Sequence, residues 1–131
     1  MKYLGIDYGE KRIGLAGSFA GIIVKPLEVV QAKDSVKLFS QLIERVKFHQ
    51  PENIVIGLPV DSDGNIQSQA KKVQIFAESI SMVFPKTKIY FTNEYLSSFE
   101  AKTRSTKKTK NPIDDIAAAV ILEQFLKEQS S

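Results

Sequence analysis

The sequence predicts an α/β protein, a mixed sheet flanked by helices, and three observations lead there. Short apolar runs rich in β-branched residues alternate with longer stretches at helical spacing. The first three extended runs follow one another directly, whereas each of the two later ones comes after a helical stretch. No composition break, low-complexity stretch or internal repeat divides the 131 residues, so a single domain over 1–131 is expected.

Taken in order, Tyr3 to Ile6 and Ile13 to Ala16 read as an antiparallel strand pair joined by the turn Tyr8 to Arg12. Ile22 to Val30 continues as a third extended segment, and its Lys25-Pro26 favours a bend or an edge position. Asp34 or Ser35 caps a helix running to about Phe48, with Val36, Phe39, Leu42, Ile43 and Val46 on one face. Asn53 to Gly57, reading NIVIG, has the content of a buried parallel strand. After the polar loop VDSDGN a second helix spans about Ser68 to Val83, through Ala70, Val73, Phe76, Ala77 and Ile80. Lys88 to Thr92 is the fifth strand, with Asn93, Glu94 and Tyr95 at its exit. A helical turn follows Ser97 or Ser98. Asn111-Pro112 then starts a last helix, Ile113 to about Leu126, whose IAAAVIL is apolar almost all round and so wants burial on several sides.

Composition excludes several functions. With no cysteine there is no disulfide, zinc ribbon or cysteine nucleophile, so any metal must be held by oxygen or by His49. A lone histidine at a helix C-terminus is explained by the helix dipole and solvent exposure, and is given no catalytic role. No run has the length of a membrane span or the pattern of a signal peptide, and the expected location is cytoplasmic. Net charge is only +3, but Lys102, Arg104, Lys107, Lys108 and Lys110 fall within nine residues that contain no acid. Such a segment, expected to be flexible over about 102–111, either attracts a polyanion or is simply a solvated loop.

Three acids stand out by placement: Asp7 at the end of the first strand, Glu94 after the last, and Asp114 at the start of the last helix. Carboxylates gathered from separate elements can hold a divalent ion for phosphodiester hydrolysis, and Mg²⁺ suits an all-oxygen site. Simpler readings compete: Asp before Gly is common turn chemistry, and Asp114 or its neighbour Asp115 complements the helix dipole. Asp61 and Asp63 do not complete an EF-hand pattern and read as turn residues.

The blocks LGIDYGEKRIGLAGS, IVIGLPVDSDG, NEYLSSFEA and IDDIAAAVILEQFL, in this order and spacing, resemble the four signature blocks of the YqgF family of RNase-H-like nucleases. The resemblance runs from Tyr3 to about Leu126. Members are described as Holliday-junction resolvases and as nucleases for the 5′ end of the 16S rRNA precursor. It implies an RNase-H-like five-stranded mixed sheet and a metal-dependent nuclease, with Asp7, Glu94 and Asp114 as ligands of Mg²⁺ (or Mn²⁺). It further implies nucleic acid as partner, either pre-rRNA, in the setting of ribosomal particles, or branched DNA. Gly9, Arg12 and Gly14 match the first block, and Gly57, Pro59, Asp63 and Gly64 the second. Arg12 is a candidate phosphate contact, together with the cations of 102–110; a turn-flanking arginine that covers apolar surface is the competing reading for it.

The third block departs from the family pattern Asp-Glu-Arg-Leu: this chain reads Asn93-Glu94-Tyr95-Leu96. An acid and a cation are absent there: either Tyr95 or a basic residue of 102–110 compensates, or cleavage is weakened, and the second course leaves open a non-catalytic RNA-binding module used in ribosome assembly. An ATP site of the actin or sugar-kinase type also uses an Asp-x-Gly hairpin, but clamps nucleotide between two such domains where this chain has length for one.

Overall fold

The computed structural model describes residues 2–59, 68–94 and 113–130, with backbone only at Ser68, Glu94, 113–115 and Ser130. Asp61, Asp63, Tyr95, the turn after Ser97 and the basic segment 102–110 lie outside the described residues. The elements are β1 (Tyr3–Asp7), β2 (Arg12–Ser18), β3 (Lys25–Gln31), α1 (Ser35–His49), β4 (Asn53–Pro59), α2 (Ser68–Val83), β5 (Lys88–Glu94) and α3 (Ile113–Ser130).

Five strands form one mixed sheet in the order β3-β2-β1-β4-β5. The first three make the expected antiparallel meander. β4 and β5 join in parallel, because α1 and α2 return the chain to the starting end of the sheet between strands. Pro26 lies in β3, at the sheet's edge, where its missing N–H costs no interior bond. β3 begins at Lys25, so the Ile22–Val24 part of the expected strand belongs to the β2–β3 loop. Gly21 turns that loop at φ 75°, a conformation open to glycine.

Helices cover both faces. On one, Leu4, Ile6, Ile13, Leu15, Ile54 and Ile56 bury against Leu38, Leu42 and Val46 of α1 and Ala70, Val73, Phe76, Ala77 and Ile80 of α2. On the other, α3 packs Ala118, Ile121, Leu122 and Phe125 over Ala16 and Val55. The near-continuous apolar run of α3 thus meets several strands at once. Asp34, not Ser35, caps α1: its carboxylate accepts the Lys37 N–H at 2.8 Å. The buried stripe of α1 is Leu38, Leu42 and Val46, and Val36 is 77% exposed. Residues 38, 42 and 46 form a straighter i, i+4 row under the sheet than a row including 36 could.

Candidate active site at the carboxyl ends of the strands

Because β1, β4 and β5 are parallel, their carboxyl ends share one edge of the sheet, and α1 and α2 both start there. Open α/β sheets place their ligands at this edge. Asp7 is the last residue of β1, half-exposed and paired with Gly14 of β2. Along β1 the side chains alternate. Leu4 and Ile6 belong to the α1/α2 core, whereas Tyr3 packs against the α3 layer, and Gly5 and Asp7 follow Tyr3 in register.

The course of α3 over β1 fixes where its first turn lies. Phe125 sits over Tyr3, ring centroids 6.3 Å apart. Further along β1, a Cβ on Gly5 would come within 2.9 Å of Leu122 Cβ and 3.0 Å of the Ala118 carbonyl oxygen. The helix therefore runs antiparallel to the strand. Asp114 precedes Ala118 by about one turn, ~6 Å of rise, and Asp7 follows Gly5 by ~6.6 Å of strand. The backbones of Asp7 and Asp114 thereby arrive at the same end of the layer. Glu94 ends β5 opposite Pro59 of β4. With β4 between them, β1 and β5 are ~10 Å apart. Among the described residues no three acids or histidines form a metal-holding group, and of the three predicted acids only Asp7 has a described side chain.

The turn after Asp7 is built tightly. At Gly9 a Cβ would collide with the Arg12 carbonyl oxygen, so no other residue fits without moving backbone. Tyr8 stacks on Phe76 of α2 with centroids 4.5 Å apart, and burial raises its hydroxyl pKa, aided by nearby Glu10. Glu10 accepts a 2.6 Å bond from Lys72 of α2, which lowers the Glu10 carboxyl pKa. Arg12 opens β2 at the same edge with its side chain exposed.

Two features escape the sequence. Thr92 of β5 is 3% exposed, and its hydroxyl oxygen is buried without a hydrogen-bond partner. It pairs with Gly57 of β4, and Gly57 is the residue beyond Ile56, the partner of Ile6. Thr92 is thus level with Asp7. His49 is not the solvated histidine expected: its Nε2 lies 2.7 Å from Glu28, which also receives the Arg45 guanidinium at 2.9 and 3.0 Å. Burial alone would raise the Glu28 pKa, but these bonds and charges prevail and it is lowered.

Comparison with known proteins matches this architecture to one family. The family model described as "RuvX: Holliday junction resolvase" matches residues 1–128. The chain belongs to the RuvX family. A relative from Synechococcus elongatus named "Putative pre-16S rRNA nuclease" is 40% identical, over 96% of this chain and 89% of its own. Another of that name, from Dehalococcoides mccartyi, is also 40% identical, over 92% and 93%. Among solved structures, T. thermophilus RuvC in complex with a Holliday junction superimposes with a TM-score of 0.60 at 16% identity, covering 100% of this chain and 97% of that one. The Fowlpox virus resolvase with its junction DNA gives 0.61 at 11% identity, covering 100% of both chains. At such identities the structural likeness shows the RNase-H-like fold alone, and the RuvX membership rests on the sequence. No helix among the described residues is long and apolar enough to cross a membrane.

Proposed function

We propose that this RuvX protein is a metal-dependent nuclease that hydrolyses phosphodiester bonds of structured nucleic acid, and that its substrate is the 5′ end of the 16S rRNA precursor in the cytoplasm. Asp7, Glu94 and Asp114 hold the divalent ion, Mg²⁺ or Mn²⁺. One observation supports this most: α3 runs antiparallel to β1, which brings the start of α3 to the strand end that carries Asp7. A donor set of three carboxylates from three elements also suits a hard cation. Bound there, the ion supplies Lewis-acid stabilisation of the phosphate charge and an activated water.

The chain's own residues do the rest. Asp7 projects from a strand whose turn is locked by Gly9 and by the Tyr8–Phe76 stack, so its carboxylate is held in place before substrate arrives. Arg12 and the cations Lys102, Arg104, Lys107, Lys108 and Lys110 draw phosphate oxygens toward the edge. The whole chain, 1–131, acts as one domain.

The test compares wild type and Asp7→Asn on a 5′-extended 16S precursor fragment and on a four-way DNA junction, with Mg²⁺ and with a chelator. Precursor cleavage that disappears in both the variant and the chelated reaction is the expected result. Paired cuts in the junction alone would replace rRNA with branched DNA as substrate. RNA binding without cleavage of either would mark a binding module, with Asn93 and Tyr95 as the departures responsible.

A further inference from the structure

A groove of about 370 Å³ opens between α1 and α2 beside the hairpin turn. Its wall carries the Tyr8, Phe39 and Phe76 rings, the Ser35 and Ser79 side chains, and Lys72. The volume falls within the range of small-ligand clefts. Tyr8 and Phe39 are half-exposed, so aromatic surface faces the opening. The site built from Asp7 uses the Tyr8 ring only to fix its turn against Phe76, and does not use Phe39.

Cations gather on the rim. Lys72 reaches the hairpin through Glu10, and Lys71 stands beside it on α2, exposed. The Lys11 carbonyl accepts the Ala32 N–H at 3.2 Å, which sets Lys11 next to Lys33. Lys37 follows within the first turn of α1, where Asp34 caps the helix. Lys72 lines the opening, and the exposed Lys11, Lys33, Lys37 and Lys71 each stand one or two residues along the chain from a lining residue, against two acids, Glu10 and Asp34, in the same segments. Lysines in the segments that border an aromatic-lined groove complement a strand whose phosphates lie outside and whose bases turn inward. Duplex, with its bases stacked inside, offers this groove no base.

Resting on the nuclease reading above, we infer that the α1–α2 groove and its lysine rim form a subsite for a single-stranded stretch of nucleic acid running past the hairpin from the Asp7 end. Phosphates engage the lysines, and one unpaired base enters against Tyr8 and Phe39. The subsite selects substrates with unpaired nucleotides next to the cut.

The probe is a fluorescent 12-nucleotide RNA, single-stranded or annealed to its complement, titrated against the full chain by anisotropy over a range of salt. The triple variant Lys33→Gln, Lys37→Gln, Lys71→Gln should flatten the single-strand log K against log salt slope by about 2, since each phosphate contact contributes about 0.7. Phe39→Leu should weaken single-strand binding about tenfold, as expected for losing one stacked base, and leave duplex binding unchanged. A control triple at the opposite end, Lys25→Gln, Lys86→Gln, Lys88→Gln, removes equal charge and should leave the slope as in wild type. Equal effects of the two triples, an unchanged slope in the first, or equal loss of duplex binding in Phe39→Leu would each overturn the subsite. Thermal melts that match wild type confirm that the variants are folded. If wild type bound neither RNA at any salt, the nuclease reading itself would fall; binding by wild type that the rim variants leave intact removes only this inference.

Discussion

The two ends of the sheet are built from the same strands and carry opposite surfaces. At the carboxyl end of β1 lie Asp7, Arg12, the Glu10–Lys72 pair and the lysine rim. At the other end Phe19, Ile22, Ile23 and Phe48 are largely exposed around an open apolar groove of about 750 Å³. Among the described residues that line the groove, Lys2, stacked over the Phe19 ring at 4.8 Å, Lys25 and His49 carry ionisable groups, and Arg45 lies over the Phe48 ring at 4.5 Å. The difference teaches where rigidity is spent. The polar end is fixed by a glycine with no spare volume and by the contact of Tyr8 with the buried Phe76 ring, whereas the apolar end hangs on the β2–β3 loop. Preorganised carboxylates need such a frame, and a loop of exposed hydrophobics does not.

The largest effect that would break this contrast is at the carboxylates. Asp114→Asn should reduce cleavage to background, in a gel assay of the precursor fragment, with an unchanged circular dichroism spectrum. Cleavage that persists would remove Asp114 from the site and leave Asp7 without its partner from α3.

Next comes Gly5→Ala, which tests whether α3 is placed by close approach to β1. The new methyl would meet Leu122 Cβ at 2.9 Å and the Ala118 carbonyl at 3.0 Å, so the helix must shift, at a cost of about 1–3 kcal/mol. Denaturant unfolding measures that cost, and cleavage should fall further than stability does, because the helix carrying Asp114 moves. Equal stability of the two proteins would refute the packing argument.

Thr92→Val addresses the polar end from the opposite direction. Its hydroxyl is buried and unpartnered, so replacing it with a methyl should raise stability by about 1 kcal/mol. A stabilised protein that cleaves more slowly would tie that hydroxyl to the site, in line with the stability given up at active sites.

Much of this layout was legible in the residues, for physical reasons that also mark the limits. Period-two and helical patterns act locally, so the five strands and three helices among the described residues and the burial of Ala70, Val73, Phe76, Ala77 and Ile80 followed from them, while the missing N–H of Pro26 pointed to an edge or a bend and the edge is where it lies. Asp7 was legible because a strand end beside a tight turn is itself a local feature. Tertiary pairings were not. His49 and Glu28 are 21 residues apart and meet only once α1 lies against β3, and the orphaned Thr92 hydroxyl exists only once β5 has joined β4 in the folded sheet. Ile22 and Ile23 read as strand because their β-branched chains fit a pleat, yet the turn at Gly21 leaves them in the loop. The lysine rim draws on α1, α2 and the hairpin, so no window of sequence displays it as the 102–110 run displays its own cations.

The smallest effect concerns the Glu28 cluster, which joins β3 to α1 beside the apolar groove. Its carboxyl pKa is depressed below the ordinary 4.5 because hydrogen bonds from His49 and Arg45 outweigh burial. A depressed acid stabilises the fold at pH above its unfolded value, and that contribution fades as pH falls through the folded one. The groups are partly exposed, so the loss should be only about 0.5 kcal/mol. Urea unfolding of wild type and Glu28→Gln in a series from pH 7 downward measures it. The two proteins should differ at pH 7 and converge as pH drops below the ordinary 4.5 and through the depressed folded value, where Glu28 itself takes up a proton. A difference that persisted in acid would mean that shape, not charge, holds β3 to α1 here. The contrast between the two ends would then rest on packing at the apolar end and on electrostatics at the carboxylate end alone.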